Sequence, residues 1–227
     1  MISVIVPAFN AQRYIAEALQ SVLGQISGGD EVIVVDDGSS DETAAIAGRC
    51  GSPVRVIRAP HRGISATVNR AIEDARGDLF AFVDADDRWL SGKIEQSLDI
   101  LSGDSSIDAV FTLVRQFLSP DVDGADGRYA IPSAPMTGLL RGSMVIRARA
   151  WHRVGPMETD LRAGEFVSWY ARAIDEKLKM HLIQTVLYER RVHGGNTVIR
   201  ERETASADYL RLIRATVARR RASKEQR

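Results

Sequence analysis

The chain has 227 residues, enough for one full domain of roughly 100–200 residues or for one domain with a short appendage. Hydrophobic residues make up 44% and charged residues 26% of it, a composition typical of folded globular domains that excludes disorder, collagen-like repeats and a heptad rod. The 30 basic side chains are balanced by 30 acidic ones, and because the chain lacks a basic excess we expect no nucleic-acid partner.

The first hundred residues alternate apolar runs of strand length with segments of helical periodicity, the pattern of strands joined by crossover helices. Strands are predicted over residues 3–6, 31–35, 54–57 and 79–83. Helices are predicted over residues 14–23, 43–48 and 64–75, the second with Asp41 as its N-cap. This alternation predicts an α/β fold with a mostly parallel twisted sheet flanked by helices.

The pattern weakens beyond Asp87. Helices are predicted over residues 93–101, 166–176 and 203–221, strands over 109–114, 144–148 and 181–187, and a polar loop over 119–137. We divide the chain into a core over residues 1–115, a second part of the same domain over 116–200, and a basic C-terminal helix or tail over 201–227.

Polar clusters follow three of the predicted strands. They are Pro7-Ala8-Phe9-Asn10, Asp36-Asp37-Gly38-Ser39-Ser40-Asp41 and Asp84-Ala85-Asp86-Asp87. Because ligands of open parallel sheets bind beyond the carboxyl ends of the strands, we expect all three clusters to lie on one rim and to form a binding site.

The third cluster places Asp84, Asp86 and Asp87 within four residues. An isolated Asp-x-Asp is more often a turn than a metal site, since Asp is an ordinary turn former. Three crowded carboxylates, however, are costly unless a cation offsets their charge, and carboxylates suit Mg²⁺ or Mn²⁺. Since Mg²⁺ is usually held by one or two carboxylates together with substrate phosphates, the cluster predicts a divalent metal bound with a diphosphate. The glycine-rich signatures of dinucleotide oxidoreductases and P-loop nucleotidases are missing from the sequence.

These segments resemble the inverting family-2 glycosyltransferases of the GT-A fold. The matching segments are Ser3-Val4-Ile5-Val6-Pro7-Ala8-Phe9-Asn10, Val34-Val35-Asp36-Asp37-Gly38-Ser39-Ser40-Asp41, Arg62-Gly63-Ile64-Ser65 with Asn69, and Phe82-Val83-Asp84-Ala85-Asp86-Asp87. The resemblance covers about residues 2–90 and is looser after residue 140. It implies a single GT-A domain, with residues 1–115 binding a nucleotide sugar and residues 116–200 on the acceptor side. It also implies a metal-dependent hexosyltransferase-type enzyme that moves a sugar from a nucleotide diphosphate to an acceptor hydroxyl or other nucleophile, with inversion at the anomeric carbon.

The resemblance further implies which residues bind the nucleoside. Pro7 and Asn10 are expected to shape the loop beside the base and ribose, with Phe9 in the same segment. Asp37 is expected to accept a hydrogen bond from the base, and Arg62 to face the nucleotide.

For the diphosphate, the resemblance implies that Asp84 contacts the ribose or first phosphate, with Ala85 beside it. Asp86, together with Asp87, is expected to hold Mg²⁺ or Mn²⁺. His193 lies in Arg190-Arg191-Val192-His193-Gly194-Gly195-Asn196-Thr197, which resembles an Arg-x-His loop that provides a further metal or phosphate contact. A lone histidine is otherwise more often structural.

The family takes its general base from an acidic pair, commonly Gly-Glu-Asp before a helix. Here the corresponding place reads Ala163-Gly164-Glu165-Phe166, so Phe166 replaces the expected Asp. We predict Glu165 as the base and Asp160 as the reserve candidate. The alternative is that Glu165 is only a first-turn acid favoured by the helix dipole.

The resemblance leaves the substrates open. A UDP-sugar is the family default, and the acceptor is a glycan, lipid, peptide or small molecule. Because Phe166 replaces an acid, the first alternative is a nucleotide-sugar-binding protein with little or no turnover. A sugar-phosphate nucleotidyltransferase is a second alternative, although the chain lacks its Gly-rich, Lys-containing N-terminal signature.

The location of the protein is predicted from its hydrophobic and basic segments. No window approaches the roughly 18 apolar residues of a membrane-spanning helix, so we expect a cytoplasmic protein. The predicted last helix and tail are basic, with Arg211, Arg214, Arg219, Arg220, Arg221, Lys224 and Arg227 against Glu225. A solvated surface is the simpler interpretation, and peripheral contact with the anionic inner face of a membrane is the alternative.

Overall fold

The structure is a computed structural model that describes residues 1–120, 122, 131–137, 140–161 and 164–194. The strands in this part of the chain are β1 (Ile2–Ala8), β2 (Glu31–Asp36), β3 (Val54–Arg58), β4 (Leu79–Phe82), β5 (Arg88–Trp89), β6 (Ala109–Leu118), β7 (Met136–Thr137), β8 (Val145–Arg147) and β9 (Met180–Val192). The helices are α1 (Ile15–Leu23), α2 (Thr43–Gly48), α3 (Ile64–Glu73), α4 (Lys93–Gly103), α5 (Ala148–Val154) and α6 (Glu165–Asp175), and a 3-10 turn spans Arg141–Ser143.

All these strands belong to one mixed sheet with the order β3-β2-β1-β4-β8-β6-β9-β5, in which β7 pairs with β6. The first four strands of this order are parallel, as the alternating pattern predicts. β8 is antiparallel to both β4 and β6, and β9 runs parallel to β6. The predicted α/β fold is confirmed, and the strands of residues 109–192 continue the same sheet.

Two apolar clusters cover the two faces of the sheet. On one face, Val4 and Val6 of β1 pack with Ile15 and Leu19 of α1. On the other face, Ile5 packs with residues of α3, α5 and α6. Consecutive residues of β1 therefore face opposite buried layers, which explains why the strand is an almost continuous apolar run.

The structure departs from the predicted elements mainly in the second half of the chain. β5, β7 and α5 were not predicted, and β7 lies inside the predicted polar loop. β6 and β9 are longer than predicted because they pair along ten residues of β6. The hydrogen bonds between the two strands stabilise an extended backbone that neither segment would keep alone. The predicted helix over 203–221 and the basic tail lie outside the described residues. None of the helices in the described part of the chain has the length and hydrophobicity needed to cross a membrane.

The start of α2 also differs from the prediction. Its N-cap is Glu42 rather than Asp41. Asp41 still stabilises the first turn, because its Oδ1 accepts the backbone N–H of Thr43 at 3.0 Å and its Oδ2 accepts that of Gln12 at 3.1 Å. The carboxylate thereby ties the start of α2 to the segment that follows β1.

Candidate active site

The first two polar clusters lie at one edge of the sheet and are bonded to each other. β1 and β2 are parallel neighbours, with Ala8 opposite Asp36. Asn10 donates its backbone N–H to Ser39 Oγ at 2.8 Å, and its Oδ1 accepts the backbone N–H of Ser40 at 2.9 Å. Pro7, predicted to shape this loop, is instead a buried residue inside β1, so its influence on the loop is indirect.

Asp37 joins the second cluster to the start of α3. Its Oδ1 accepts the backbone N–H of Arg62 at 2.8 Å, and its Oδ2 accepts that of Gly63 at 2.9 Å. His61 Nδ1 lies 2.9 Å from the same Oδ2. The His61 ring also stacks on Phe9, with centroids 4.2 Å apart, and Phe9 is 43% exposed. His61 thus lies beside the predicted site, although no motif indicates a function for it.

A groove of about 520 Å³ opens beside Asp37, between α3 and the end of β3. It is lined by residues that include Asp37, Arg58, Arg62, Asn69, Arg70 and Thr159. The side chains of Arg58 and Arg62 are exposed there. Arg62, which is predicted to face the nucleotide, thus lies on a concave surface. The other charged residues of its lining are Arg58, Arg70, Asp37 and Glu73.

The three carboxylates that follow β4 point to different partners. Asp84 accepts a hydrogen bond from Arg141, and Asp86 Oδ2 lies 2.9 Å from His193 Nε2. Asp87 is buried, and it accepts the Tyr188 hydroxyl at 2.7 Å and the backbone N–H of Arg191 at 2.8 Å. Burial, followed by the charges of Asp86 and Asp84, raises the pKa of Asp87 well above its ordinary value.

This geometry does not support the predicted role of Asp87 beside the metal, because both of its oxygens are bonded inside the protein. Asp87 instead fixes the loop after β4 against β9. Ala85 is also buried, so it contributes no side chain to the rim. Asp84 and Asp86 are the two residues of the Asp-x-Asp motif whose carboxylates remain partly exposed.

Asp86 and His193 fit a divalent metal as part of a ligand set. No group of three or more His, Cys, Asp or Glu residues within the described ranges is arranged to hold a metal by itself. Asp86 Oδ2 and His193 Nε2 lie 2.9 Å apart, close enough for both to contact one ion. The Asp86 carboxylate suits Mn²⁺ or Mg²⁺, and phosphate oxygens of a substrate would complete such a ligand set.

The end of β9 is fixed against the loop that carries Asp86. Arg191 Nε donates to the backbone oxygen of Asp86 at 2.9 Å, and the guanidinium bonds to Glu17. The same guanidinium lies 4.5 Å from the centre of the Phe117 ring. Of the predicted loop over residues 190–197, the structure describes the part up to residue 194, which contains His193.

Arg141, in the 3-10 turn, connects the Asp-x-Asp motif to the predicted base. The side chain is 4% exposed, bonds to Asp84, and places Nη1 4.0 Å from Glu165 Oε1. Burial lowers the pKa of Arg141, but the charges of Asp84 and Glu165 outweigh this effect and raise the pKa above its ordinary value. Sequence reasoning missed Arg141 because the turn shows neither helical nor strand periodicity.

Glu165 is the first residue of α6 and lies on the Arg141 side of the site. Phe166, at the position of the expected Asp, is 7% exposed and stacks on Trp169. Trp169 is itself buried against Trp151, so both aromatic residues belong to the core. Glu165 is thus the acidic residue of this motif that faces the site.

Asp160 is exposed in the segment between α5 and α6. That segment is attached to α3, because the Asn69 side chain donates to the backbone oxygen of Met157 at 2.8 Å and accepts its N–H at 2.9 Å. Asn69, one of the residues that carry the family resemblance, therefore has a structural partner in the segment between α5 and α6.

Replacing Gly142 by alanine (Gly142→Ala) is expected to destabilise the protein. A Cβ atom at this position would lie 2.1 Å from the Tyr188 hydroxyl oxygen, so Tyr188 would have to leave Asp87. Overpacking of this kind costs about 1–3 kcal/mol, and urea unfolding measures the loss.

The control for this variant is Gly103→Ala, at the last residue of α4, where an added Cβ meets no atom within 4 Å. Alanine there is expected to leave the free energy of unfolding unchanged or to raise it. Equal stability of Gly142→Ala and the unchanged protein would contradict the tight packing of the turn on Tyr188.

Comparisons with known proteins place the chain among glycosyltransferases. A family model described as Glycosyl transferase family 2 matches residues 3–170. An uncharacterized glycosyltransferase of Rickettsia conorii is 27% identical over 209 residues, which are 86% of this chain and 34% of the relative. The chain thus spans about a third of the length of that relative.

Two solved structures show the fold. TarS of S. aureus (residues 1–349), in complex with UDP-GlcNAc, has a TM-score of 0.70 and 21% identity, covering 86% of this chain and 60% of that one. The mannosyltransferase PcManGT of Pyrobaculum calidifontis, in complex with GDP-Man and Mn²⁺, has a TM-score of 0.73 and 18% identity, covering 96% and 64%. The chain therefore has the GT-A fold expected from the resemblance.

Proposed function

Because this chain belongs to glycosyl transferase family 2, we propose that it is a metal-dependent, inverting glycosyltransferase that moves a sugar from a nucleotide diphosphate to an acceptor hydroxyl or other nucleophile. The observation that carries the proposal is the position of Arg141, which contacts Asp84 of the Asp-x-Asp motif and lies beside Glu165. Asp84, proposed to face the donor, and Glu165, proposed to face the acceptor, thus lie on either side of the buried Arg141 guanidinium.

The nucleoside is proposed to bind at the ends of β1 and β2. Asp37 is as buried as Asp87, and both of its oxygens accept backbone N–H groups, those of Arg62 and Gly63. Unlike Asp87, it lines the groove beside α3, and that position supports a further bond from the base to one of its oxygens. The exposed ring of Phe9 offers a surface for stacking. The UDP-GlcNAc and GDP-Man in the related structures make uridine and guanosine the first bases to test.

The diphosphate is proposed to bind beside Asp86 and His193. These residues would hold Mn²⁺ or Mg²⁺, which supplies positive charge to stabilise the departing diphosphate. The mannosyltransferase structure contains Mn²⁺ with GDP-Man, which supports the same use here. Asp84, fixed by Arg141, would orient the ribose or the first phosphate.

Glu165 is proposed to accept the proton of the acceptor hydroxyl. A general base for an inverting transfer must lie on the opposite side of the sugar from the leaving diphosphate. Glu165 belongs to α6, in the second half of the chain, whereas Asp86 follows β4. Arg141 contacts Asp84, two residues before Asp86, and its Nη1 lies 4.0 Å from Glu165 Oε1.

The alternative function is that of a nucleotide-sugar-binding protein with little or no turnover, and one observation favours it. Phe166 occupies the place of the expected acid and is buried in the aromatic core, so the motif keeps a single carboxylate. A protein that binds nucleotide sugars with little or no turnover would tolerate that change.

A donor panel tests the proposed function. The protein is incubated with UDP-GlcNAc, GDP-Man and other nucleotide sugars, each with Mn²⁺, Mg²⁺ or EDTA, and released nucleoside diphosphate is measured. We expect release from at least one donor in the presence of metal and none in EDTA. Binding without release would favour the binding protein, and release of pyrophosphate would favour a nucleotidyltransferase.

A further inference from the structure

Lys93 is a buried lysine for which the proposed chemistry has no use. It is the first residue of α4 and is 0% exposed. Its Nζ donates to the backbone oxygen of Ser143 at 2.9 Å and lies 5.4 Å from the centre of the Trp89 ring. Burial lowers the pKa of Lys93 to about 7.

Among the described residues Lys93 forms no ion pair with an acidic side chain, and burial is what lowers its pKa. An ammonium without a counter-charge is unfavourable in the core, and methionine would fill nearly the same volume without that penalty. A lysine at this position therefore indicates a requirement other than packing. Its hydrogen bond to Ser143 is the feature that an apolar residue could not supply.

Ser143 is the last residue of the 3-10 turn that carries Arg141. The turn is held on a second side, because Gly142 packs directly against the Tyr188 hydroxyl. Within the turn, the backbone N–H of Ser143 donates to Leu140 O at 3.1 Å, and that of Met144 donates to Arg141 O at 2.9 Å. Lys93 thus holds the end of the turn from α4, while the Arg141 side chain extends towards Asp84 and Glu165.

We propose that Lys93 is a positioning residue, which holds the 3-10 turn through the carbonyl of Ser143 and thereby keeps Arg141 between Asp84 and Glu165. The consequence for catalysis rests on the proposed function, but the effect on the position of the turn does not. Lys93 itself touches no substrate in this account.

The test uses Lys93→Met in the full chain, with Ile94→Ala as its control. Ile94 is the next residue of α4 and is buried in the core on the α1 side of the sheet, so its truncation lowers stability without removing the bond to Ser143. Both variants are characterised by thermal unfolding, by amide hydrogen exchange of residues 141–147, and by kcat and KM for metal-dependent hydrolysis of the donor that the unchanged protein accepts.

In Lys93→Met we expect the amides of Ser143 and Met144 to exchange about tenfold faster, the effect of losing one hydrogen bond. We expect kcat to fall by about tenfold while KM for the donor changes by less than about threefold, because the lost contact acts on transition-state geometry. In Ile94→Ala, the melting temperature is expected to fall without a selective change at the turn or in kcat.

Unchanged exchange at Ser143 and Met144 in Lys93→Met would overturn the proposal. It would equally be overturned if exchange rose throughout the protein in both variants in step with the loss of stability, since Lys93 would then be only a packing residue. If the unchanged protein hydrolyses no donor, the proposed function fails, while the exchange measurement still decides whether Lys93 holds the turn.

Discussion

Asp86→Asn is expected to reduce metal-dependent donor hydrolysis by about 100- to 1,000-fold, the usual effect of removing one group that stabilises charge in a transition state. The carboxylate of Asp86 lies 2.9 Å from His193, and the amide that replaces it carries no charge to hold a divalent cation. The measurement is nucleoside diphosphate release at saturating Mn²⁺.

The control is Asp78→Asn, which makes the same change of charge just before the start of β4. Asp78 has a side chain that is 90% exposed and pairs with the N-terminal amine. The Asp78→Asn variant is expected to hydrolyse the donor at the normal rate. Stability is measured in parallel, and Asp86→Asn is expected to unfold no more easily than the unchanged protein, because it removes one of the charges that crowd Asp87. Full activity of Asp86→Asn would remove Asp86 from the metal site.

Glu165→Gln is expected to lower the rate of sugar transfer by about 100- to 10,000-fold, the range usually supplied by a general base. Glutamine keeps the size of the side chain and its place at the start of α6, but it cannot accept the acceptor proton. The affinity for nucleoside diphosphate is expected to stay the same, since the proposed donor site lies beside Asp37 and Asp86. Initial rates and calorimetric titrations separate the two effects.

Asp160→Asn is the matched control, because Asp160 is the reserve candidate on the exposed segment before α6. It is expected to transfer sugar at the normal rate. Loss of transfer in Asp160→Asn with normal transfer in Glu165→Gln would reverse the two assignments. Normal transfer by both variants would leave Glu165 as a first-turn acid that only favours the helix.

The parallel half of the sheet could be predicted from the sequence because its signals are local. Each of β1, β2 and β4 is an apolar run that ends directly in a polar cluster, and parallel pairing of β1 with β2 and β4 brings those ends to one edge. For that reason the sequence predicts that Asp37, Asp84 and Asp86 lie at one edge of the sheet.

The parts of the site that could not be predicted depend on residues far apart in the chain. Asp87 looks like its neighbours in the sequence, yet it points inward because Tyr188 and Arg191 of β9 bind it from about a hundred positions away. Arg141 lies in a short turn, and its importance follows from contacts with Asp84 and Glu165. Neither relation leaves a periodic signal in the sequence.

The strands in the second half of the sheet also depend on contacts between residues far apart in the chain, so they could not be predicted either. β6 and β9 stabilise each other along their length, whereas β5 and β7 each have two residues. Strands this short carry no alternation that a sequence could reveal. Their existence depends on partners, β9 for β5 and β6 for β7.

Calorimetric titration of the unchanged protein with UDP and with GDP, in Mn²⁺ and in EDTA, tests most directly whether the rim at Asp86 and His193 binds a diphosphate through a metal. A metal-dependent diphosphate site predicts that Mn²⁺ tightens the binding of at least one nucleotide by about tenfold or more, equivalent to about 1.4 kcal/mol. Equal affinities in Mn²⁺ and EDTA for both nucleotides would contradict it.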